Sequence, residues 1–382
     1  MKKIAIIGAT GSIGRQAIDV IERYPDAFCV TMISAHSDKD GLISLANRLK
    51  VPTVCYTGES SLDKTDFNYP CTLLFGENAL VDGAESADYD IFLNAVVGLP
   101  ALRPTMVAIK KGARIALSNK EMLVSAGEYV MAVARKLKSE IIPVDSEHSA
   151  IFQCLSAGKR EDVDKLIITS SGGAFRDIPL AMLDDLSPER ALNHPNWNMG
   201  KKITIDCATM VNKGFEVIEA SHLFDIDIHS IETVIHRESI VHSMVRFKDG
   251  AVVAQLSEPD MRLPIQYAFT YPERLPSPVK PLTVPCDLSF RAVDFERYPC
   301  FKIMLEAGAL GGLYPAAMLA ADSVLVPAYL SGQIKYSQMP IVMSKVLTSF
   351  SLKGMYDIEE VLRINAEVEK YTHRVVKKLC RI

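Results

Sequence analysis

The sequence lacks the features that mark secreted, membrane-spanning and nucleic-acid-binding proteins. Its eight cysteines include no C-x-x-C pair, and this spacing fits reduced thiols better than a disulfide framework or a zinc site. The formal net charge of -4 provides no basic excess for nucleic acid or a membrane surface. Its most apolar long stretch, 308–330, is interrupted by Pro315, Asp322 and Pro327, which argues against a membrane span. We therefore expect a cytoplasmic protein that binds neither nucleic acid nor membrane.

The first third of the sequence alternates short aliphatic runs with amphipathic helical patterns. Continuous apolar strands separated by helices are typical of a parallel sheet covered on both faces. The predicted strands are Ile4–Ile7, Val30–Ser34, Thr53–Tyr56, Thr72–Phe75, Ile91–Ala95, Arg114–Leu117 and Ile141–Val144. We therefore predict an α/β fold in which residues 1–145 form a doubly wound, Rossmann-like dinucleotide-binding domain.

Beyond residue 145 the pattern changes twice. Strand-like runs beside helices predict an α+β catalytic domain over 146–268. Five prolines between 272 and 285 predict an extended linker over 269–294. Apolar residues at helical spacing then predict a C-terminal helical bundle over 295–382.

A glycine-rich turn, GATGSIG at 8–14, follows the first predicted strand and precedes a helix. Glycines let the backbone approach a pyrophosphate, and the helix N-terminus offers N–H groups and a favourable dipole. A turn of glycines for packing alone is the alternative, which the strand–turn–helix context disfavours. After the second strand, His36, Ser37 and Lys39 are able to hold the 2′-phosphate of NADP, whereas Asp38 would repel it. Charge alone thus leaves NADP only slightly ahead of NAD.

Two carboxylates, Asp145 and Glu147, follow the last strand of the first domain. If the chain stays extended, both side chains point to the same side. Carboxylates held together need a cation between them, and Mg²⁺ or Mn²⁺ fits because hard cations take oxygen ligands. An exposed acidic turn is the alternative interpretation.

The segment 194–216 combines a polar loop with a cluster of hydrogen-bonding side chains. The loop carries the single tryptophan, Trp197, in a place suited to closing over a ligand, with a packed surface side chain as the alternative. Hydroxyl and amide groups near Lys213 are typical of a phosphate or polyol site, and Glu216 offers a third carboxylate. The SSGG run at 170–173 resembles an anion-binding nest, although a glycine-rich turn is the simpler interpretation.

Together these motifs resemble those of the 1-deoxy-D-xylulose 5-phosphate reductoisomerase family over essentially the whole chain. The matching motifs are GATGSIG at 8–14, SNKE at 118–121, PVDSEHSAIFQ at 143–153, SSGGAFR at 170–176, the segment 194–216 and IVHSMV at 240–245. The resemblance implies an enzyme that uses NADPH and one divalent ion, Mg²⁺ or Mn²⁺. It implies conversion of 1-deoxy-D-xylulose 5-phosphate to 2-C-methyl-D-erythritol 4-phosphate, by isomerisation and then hydride transfer, in non-mevalonate isoprenoid biosynthesis. A homodimer is also implied.

The resemblance assigns roles to particular residues. The implied metal ligands are Asp145, Glu147 and Glu216, and the catalytic candidates are Lys120 and Glu147, between which the sequence does not choose a proton carrier. The implied substrate-binding residues are Lys120, Ser146, Glu147, Ser171, His194, Trp197, Cys207, Asn212, Lys213 and Glu216, with the phosphate among Ser171, Asn212 and Lys213. The implied cofactor contacts are Thr10, Gly11, Ser12, Ile13, Asn119, Glu121 and Gly200, beside His36 and Ser37 from the strand argument. The loop around Trp197 would be a mobile lid.

Three places depart from the family's pattern. Cys207 stands where the family commonly has a phosphate-binding serine, and a thiol is a weak hydrogen-bond donor. The segment 36–38 lacks the Lys or Arg often found beside the cofactor's extra phosphate. The segment 311–322 departs from the family's more polar GGTAP…NAANE pattern. None of these departures removes a predicted metal ligand.

Two other functions stay open on the sequence. One is a metal-independent dehydrogenase of the semialdehyde or homoserine type, which would share the N-terminal domain and need no set of three carboxylates. The other is a non-catalytic dinucleotide-binding protein, against which the presence of Lys120, Asp145, Glu147 and Glu216 argues.

Overall fold

The computed structural model describes residues 1–60, 62–196, 199–284, 286–354 and 356–380. Trp197 therefore lies outside the described residues. Among the described residues, no helix is both long enough and apolar enough to cross a membrane.

The first sheet consists of seven parallel strands. These strands are β1 Lys2–Ile7, β2 Phe28–Ala35, β3 Thr53–Tyr56, β4 Thr72–Phe75, β5 Ile91–Asn94, β6 Arg114–Leu117 and β7 Ile141–Pro143. Their order is β4-β3-β2-β1-β5-β6-β7, so the direction of winding reverses beside β1. Open α/β sheets bind ligands at such a switch point, outside the carboxyl ends of the strands. The predicted doubly wound α/β fold is confirmed.

Helices connect the strands of this sheet and bury their apolar faces. They are α1 Ser12–Arg23, α2 Lys39–Leu49, α3 Ala79–Ser86, α4 Leu102–Lys110, α5 Lys120–Leu137 and α6 Ser146–Cys154. In α1, Ala17, Ile18, Val20 and Ile21 are buried, and each of the larger side chains contributes about 1.5–3 kcal/mol by leaving water. The helix begins at Ser12, inside the glycine motif 8–14, and this burial packs it against the sheet.

The second sheet has five strands and mixed direction. Its strands are β8 Val163–Ser170, β9 Ile231–Ile235, β10 Val241–Phe247, β11 Val252–Leu256 and β12 Arg291–Ala292, in the order β11-β10-β8-β9-β12. Only β8 and β9 pair in parallel; the other described pairs are antiparallel. The buried side chains of Leu166, Ile168 and Val245 form a core with Val217 and Phe224 of a following helix.

Eight further helices follow α6 in the described residues. They are α7 Pro188–Ala191, α8 Lys201–Ala208, α9 Val211–Phe224, α10 Arg262–Thr270, α11 Pro299–Leu310, α12 Tyr314–Leu330, α13 Gln338–Ser349 and α14 Ile358–Leu379. All of them except α10 lie in the same compact unit as the five-stranded sheet. The helix α12 is buried along most of its length and packs against α11, α13 and α14. The predicted C-terminal helical region is therefore present.

The chain forms two compact units that are discontinuous in sequence. One comprises 1–122, 130–149 and 260–281, and the other comprises 123–129, 150–259 and 282–382. The segment 260–281, which the sequence analysis divides between catalytic domain and linker, belongs to the unit of the seven-stranded sheet. Arg262 there bonds to Asp19 of α1 at 3.0 Å, and Phe269 contacts Phe28 edge to face. The four-part domain division stays a prediction.

Candidate active site

The glycine turn after β1 accepts only glycine at two positions. Gly8 has a positive φ of 81°, and a Cβ there would lie 2.6 Å from the carbonyl oxygen of Ala95. A Cβ on Gly14 would lie 2.3 Å from the carbonyl oxygen of Gly8. The N–H of Gly8 donates to Ser34 Oγ at 3.0 Å, which ties the turn to β2. The turn is thus closed tightly against the sheet.

The first helix presents an open N-terminus at this turn. Gly11 occupies the N-cap position with extended backbone, and no described side chain caps the helix or places a carboxylate in its first turn. Thr10, Gly11, Ser12 and Ile13, all predicted cofactor contacts, form this turn. Free N–H groups at a helix start bind phosphate oxygens, so the residues present fit the pyrophosphate of a dinucleotide.

The other predicted cofactor residues lie at the ends of elements. Asn119 is buried and has a structural task, because its Oδ1 caps α5 through the N–H of Met122 at 2.8 Å and its Nδ2 donates to the Gly98 carbonyl at 2.8 Å. His36 and Ser37 are exposed directly after β2, Glu121 lies half-buried in the first turn of α5, and Gly200 precedes α8. The strand ends therefore bring this set to one edge of the sheet, except Gly200.

The two carboxylates after β7 are placed by a helix start and not by an extended chain. β7 ends at Pro143 and α6 begins at Ser146, so the expectation of a continued strand is wrong. Asp145 precedes the helix, and its Oδ1 accepts from the N–H of Glu147 at 3.1 Å. A carboxylate in this position satisfies a helix N–H that would otherwise lack a partner, which explains why the helix begins here.

Asp145 is held in its ionised form by its neighbours. Lys120 Nζ lies 2.9 Å from Oδ2 and His148 Nδ1 lies 3.1 Å from Oδ1. Burial favours the protonated acid, but the Lys120 ammonium and the His148 hydrogen bond hold the pKa of Asp145 well below its usual range. Beside it, Ser146 Oγ donates to Glu147 Oε2 at 2.6 Å. The carboxylates are thus oriented before any ligand binds.

The third carboxylate lies at the start of α9, where Asn212, Lys213 and Glu216 are all buried. Asn212 Nδ2 donates to Glu216 Oε1 at 2.5 Å, and Lys213 Nζ pairs with Oε2. The spacing of three and four residues puts these side chains on one face of the helix. The buried carboxylate is therefore compensated by an amide and an ammonium.

Asp145, Glu147 and Glu216 meet the first requirement of a metal site. Each offers a carboxylate oxygen, and the three oxygens lie within 4.8 Å of one another. Oxygen donors with this much negative charge suit a hard divalent cation better than a soft one. Among the described residues these three side chains form the group able to hold a metal.

His194 and Ser171 lie together at the predicted phosphate site. Ser171 Oγ is 3.1 Å from His194 Nε2, and the N–H of Asn196 donates to His194 Nδ1 at 3.2 Å. Because Nδ1 accepts, the ring proton belongs on Nε2. Burial, with the nearby Arg176 guanidinium, lowers the pKa of His194 to about 4. The ring is neutral at pH 7 and faces Ser171 as a donor.

The SSGG segment forms a turn that lies against the backbone of Cys207. The N–H groups of Gly172 and Gly173 donate to Ser170 Oγ and Ser171 Oγ at 3.2 and 3.1 Å, so this is a turn with its own hydroxyl partners, as the simpler interpretation has it. Gly173 has a φ of 62°, and a Cβ there would lie 2.3 Å from the Cys207 carbonyl oxygen. Ser171 and half-buried Cys207 are therefore brought close through the backbone.

Three family models together match most of the chain. The model for 1-deoxy-D-xylulose 5-phosphate reductoisomerase matches residues 4–127, that for the enzyme's C-terminal domain matches 141–224, and that for the DXP reductoisomerase C-terminal domain matches 256–371. A reductoisomerase from Macrococcus caseolyticus is 42% identical over 98% of this chain and 100% of its own length. One from Geobacillus sp. (strain WCH70) is 44% identical with the same coverage.

The chain belongs to the 1-deoxy-D-xylulose 5-phosphate reductoisomerase family. Solved structures of the family agree with its fold. A crystal structure of the reductoisomerase in complex with NADPH, fosmidomycin and magnesium has a TM-score of 0.94 at 35% identity, covering 99% of both chains. The reductoisomerase from Zymomonas mobilis in complex with NADPH has a TM-score of 0.93 at 36% identity, covering 98% of this chain and 99% of that one.

Within this family site, sequence reasoning missed several supporting residues. His148 and Arg176 stand inside the quoted motifs PVDSEHSAIFQ and SSGGAFR, yet no pattern assigned them a partner. Arg176 Nη1 donates to the carbonyl of Ser171 at 3.0 Å, and Asn196 Nδ2 donates to Ser239 Oγ at 2.7 Å. Asn196 and Ser239 are 43 positions apart, so no local signal reveals their bond, and the Arg176 bond goes to a backbone carbonyl, which no residue pattern marks.

Proposed function

We propose that this chain converts 1-deoxy-D-xylulose 5-phosphate to 2-C-methyl-D-erythritol 4-phosphate, using NADPH and one divalent ion, Mg²⁺ or Mn²⁺. The substrate first isomerises to a branched aldehyde of the same composition. Hydride from NADPH and a proton then add to the aldehyde carbonyl, which leaves NADP⁺ and the alcohol. The observation that carries the proposal is the group of three carboxylates within 4.8 Å in a member of this family.

The metal is assigned to Asp145, Glu147 and Glu216. Bound there, a divalent ion supplies positive charge that polarises substrate oxygens and stabilises negative charge on them. The chain's own contribution is to keep Asp145 ionised through Lys120 and His148 and to keep Glu216 oriented by its buried neighbours. Asp145 is thus held ionised, and Glu216 is held in a fixed orientation, by neighbours of its own unit.

Proton transfer is assigned to Lys120 and Glu147. Lys120 is buried with its ammonium directed at Asp145, and Glu147 accepts a hydrogen bond from the Ser146 hydroxyl. The Lys120 ammonium is a proton donor 2.9 Å from Asp145, and the Glu147 carboxylate is a proton acceptor and itself one of the proposed metal ligands. Ser146 and Lys120 would in addition contact the substrate.

The substrate phosphate is assigned to the helix start at Asn212 and Lys213 together with Ser171, His194 and Cys207. His194 is neutral and directs its Nε2–H at Ser171 Oγ, a bond that a phosphate oxygen would share or replace, while Lys213 supplies positive charge from a buried position. Binding energy from this non-reacting group holds the reacting part of the molecule in register. Trp197 is assigned to a lid that closes over the bound substrate and excludes water.

NADPH is assigned to the glycine turn and the edge of the seven-stranded sheet. It supplies the hydride for the second half of the reaction. Thr10, Gly11, Ser12 and Ile13 would hold the pyrophosphate at the start of α1. The residues predicted for the remaining contacts are His36, Ser37, Asn119, Glu121 and Gly200.

We also infer a homodimer and a cytoplasmic location. The edge strand β11 pairs only with β10 among the described strands and leaves Val252 and Leu256 exposed. An exposed apolar edge is a template for a second chain, and a second copy would cover it. Sedimentation of the wild type and of Leu256→Lys tests this: a dimer that the lysine weakens is expected, and a monomeric wild type would refute it. Among the described residues none of the eight cysteines forms a disulfide, which agrees with a reducing compartment.

The deciding assay follows NADPH oxidation with 1-deoxy-D-xylulose 5-phosphate, with Mn²⁺, with Mg²⁺ and after EDTA. We expect turnover with either metal and none after EDTA. Activity that survives EDTA would favour the semialdehyde or homoserine type of dehydrogenase, each tested with its own substrate. Cofactor binding without turnover on any of these substrates would favour the non-catalytic protein.

A further inference from the structure

Arg15 bridges the two loops that border the adenine side of a dinucleotide site. It lies in the first turn of α1, directly after the glycine motif. Its Nε donates to the carbonyl of Thr10 at 2.8 Å, and its Nη2 donates to Asp38 Oδ2 at 2.8 Å. The side chain thus spans from the glycine turn to the segment after β2, and 59% of it is exposed.

Asp38 is engaged on both of its oxygens. Oδ1 accepts from the N–H of Gly41 at 2.9 Å and caps α2, while Oδ2 accepts from Arg15. A Cβ on Gly41 would lie 2.2 Å from Oδ2, so glycine there admits this close approach. The carboxylate is therefore a helix cap and a partner of Arg15, and its charge is neutralised by the guanidinium.

The position of this pair decides what the pair is able to recognise. After the second strand of such a domain, a carboxylate binds the ribose 2′-hydroxyl of NAD and a basic group binds the 2′-phosphate of NADP. A guanidinium matches phosphate with paired N–H groups, and Arg15 keeps further N–H groups beyond its two bonds. It also supplies the basic side chain that the segment 36–38 lacks.

We propose that Arg15 is the residue that selects NADPH over NADH, by binding the 2′-phosphate, and that Asp38 is a positioning residue that fixes its guanidinium. The inference rests on the proposed use of NADPH. The basic group is thus supplied from the first helix instead of from the end of the second strand. Ser37, exposed and next to Asp38 in the sequence, offers a further hydroxyl.

The test measures equilibrium binding to the free protein, without substrate or metal. The probes are NADPH, NADH, 2′,5′-ADP and 5′-ADP, and the variants are Arg15→Gln, Arg15→Lys and Lys39→Gln. Arg23→Gln is the matched control, since Arg23 lies on the same helix about 12 Å further along and pairs with Asp19 at 3.2 Å. Circular dichroism and thermal unfolding verify that each variant is folded.

We expect Arg15→Gln to weaken NADPH and 2′,5′-ADP about 10- to 100-fold, the value of charge-assisted hydrogen bonds. NADH and 5′-ADP should change less than about twofold, with Arg15→Lys intermediate because an ammonium lacks the paired N–H groups. Equal losses for phosphorylated and unphosphorylated probes would overturn the proposal, as would no loss. A loss confined to Lys39→Gln would overturn it in favour of Lys39.

Asp38→Asn separates the two roles that a carboxylate could have. The amide oxygen still caps Gly41, but the ion pair that holds the Arg15 guanidinium is lost, so NADPH and 2′,5′-ADP should bind about two- to tenfold more weakly, with NADH and 5′-ADP unaffected. Unchanged NADPH binding would show that Asp38 does not position Arg15. A tenfold or larger loss of NADH would show that Asp38 binds the 2′-hydroxyl and would overturn its positioning role. If the wild type itself fails to prefer NADPH, the proposed cofactor fails; if the wild type and Arg15→Gln prefer it equally, only this inference fails.

Discussion

Asp145 and Glu216 each lie against a lysine, Lys120 and Lys213. Each ammonium compensates a carboxylate that burial would otherwise penalise. A divalent ion bound to the same oxygens would take over part of that compensation, so the lysines become available to the substrate. At the scale of the residue, the charges needed for the chemistry are already balanced in the protein alone.

Glu216→Gln should reduce turnover by roughly 1,000-fold, equivalent to about 4 kcal/mol of transition-state stabilisation. The glutamine amide keeps the shape of the side chain, and its oxygen still accepts the hydrogen bond from Asn212. The proposed metal, however, loses one negatively charged ligand. Steady-state kinetics at saturating Mg²⁺ and titration with Mn²⁺ measure turnover and metal affinity, while NADPH binding and thermal unfolding should stay close to wild type.

Glu219→Gln is the matched control, because Glu219 is equally buried on the same helix and is not among the three grouped carboxylates. It should retain metal affinity. Near-normal turnover of Glu216→Gln at saturating Mg²⁺ would contradict the metal assignment.

Cys207→Ser should bind the substrate at least as tightly as the wild type. A hydroxyl is a stronger hydrogen-bond donor than a thiol, and Cys207 is already half-buried beside the Ser171 turn. We expect an unchanged or lower KM, by up to about tenfold. Exposed Cys286→Ser serves as the control. A clearly higher KM would show that the thiol itself has a specific role.

Among the structural elements, the turn after β8 and the end of α8 touch through their backbones. Gly173→Ala places a Cβ 2.3 Å from the Cys207 carbonyl oxygen at a φ of 62°. The variant should lose about 2–4 kcal/mol of unfolding free energy and raise the substrate KM, since Ser171 moves with the turn. Urea unfolding and steady-state kinetics measure the two effects.

Gly250→Ala is the matched control for this element, because Gly250 also has a positive φ, 89°, but nothing lies within 4 Å of its Cβ position. It should lose about 1 kcal/mol, the backbone cost alone, with normal kinetics. Equal losses in the two variants would show that the approach of α8 has no energetic consequence.

For the whole molecule, His194 links stability to pH. Its pKa is about 4 in the folded protein and 6.5 in an unfolded chain. Above pH 6.5 both states are neutral; as pH falls toward about 4, only the unfolded chain gains a proton, so folding stability is lost across this window. Between pH 7.5 and 5, the free energy of unfolding of His194→Gln should fall by about 1–2 kcal/mol less than that of the wild type. Unfolding free energies from urea titrations at both pH values test this. Equal losses of unfolding free energy in the two proteins between pH 7.5 and 5 would refute it.

Much of the fold, and the three carboxylates that the structure groups, could be predicted from the sequence, whereas the wider set of site residues stays a prediction. Strands β3, β4 and β6 have the predicted ends, because short, mostly apolar runs between helical patterns are local signals. The conformation after β7 could not be predicted: an extended chain and a capped helix start both suit Asp145, and the bonds from its carboxylate decide between them.

The sequence by itself determined the class of sheet, the glycine turn and the identities of Asp145, Glu147 and Glu216, since these depend on periodicity and local motifs. Tertiary structure decided which charges meet: Lys120 with Asp145, and Arg15 with Asp38. From the sequence alone, Asp38 is expected to repel a 2′-phosphate. In the structure, its pairing with Arg15 neutralises that charge. These pairings join residues 25 and 23 positions apart through the packing of strands and helices, and no period in the chain encodes them.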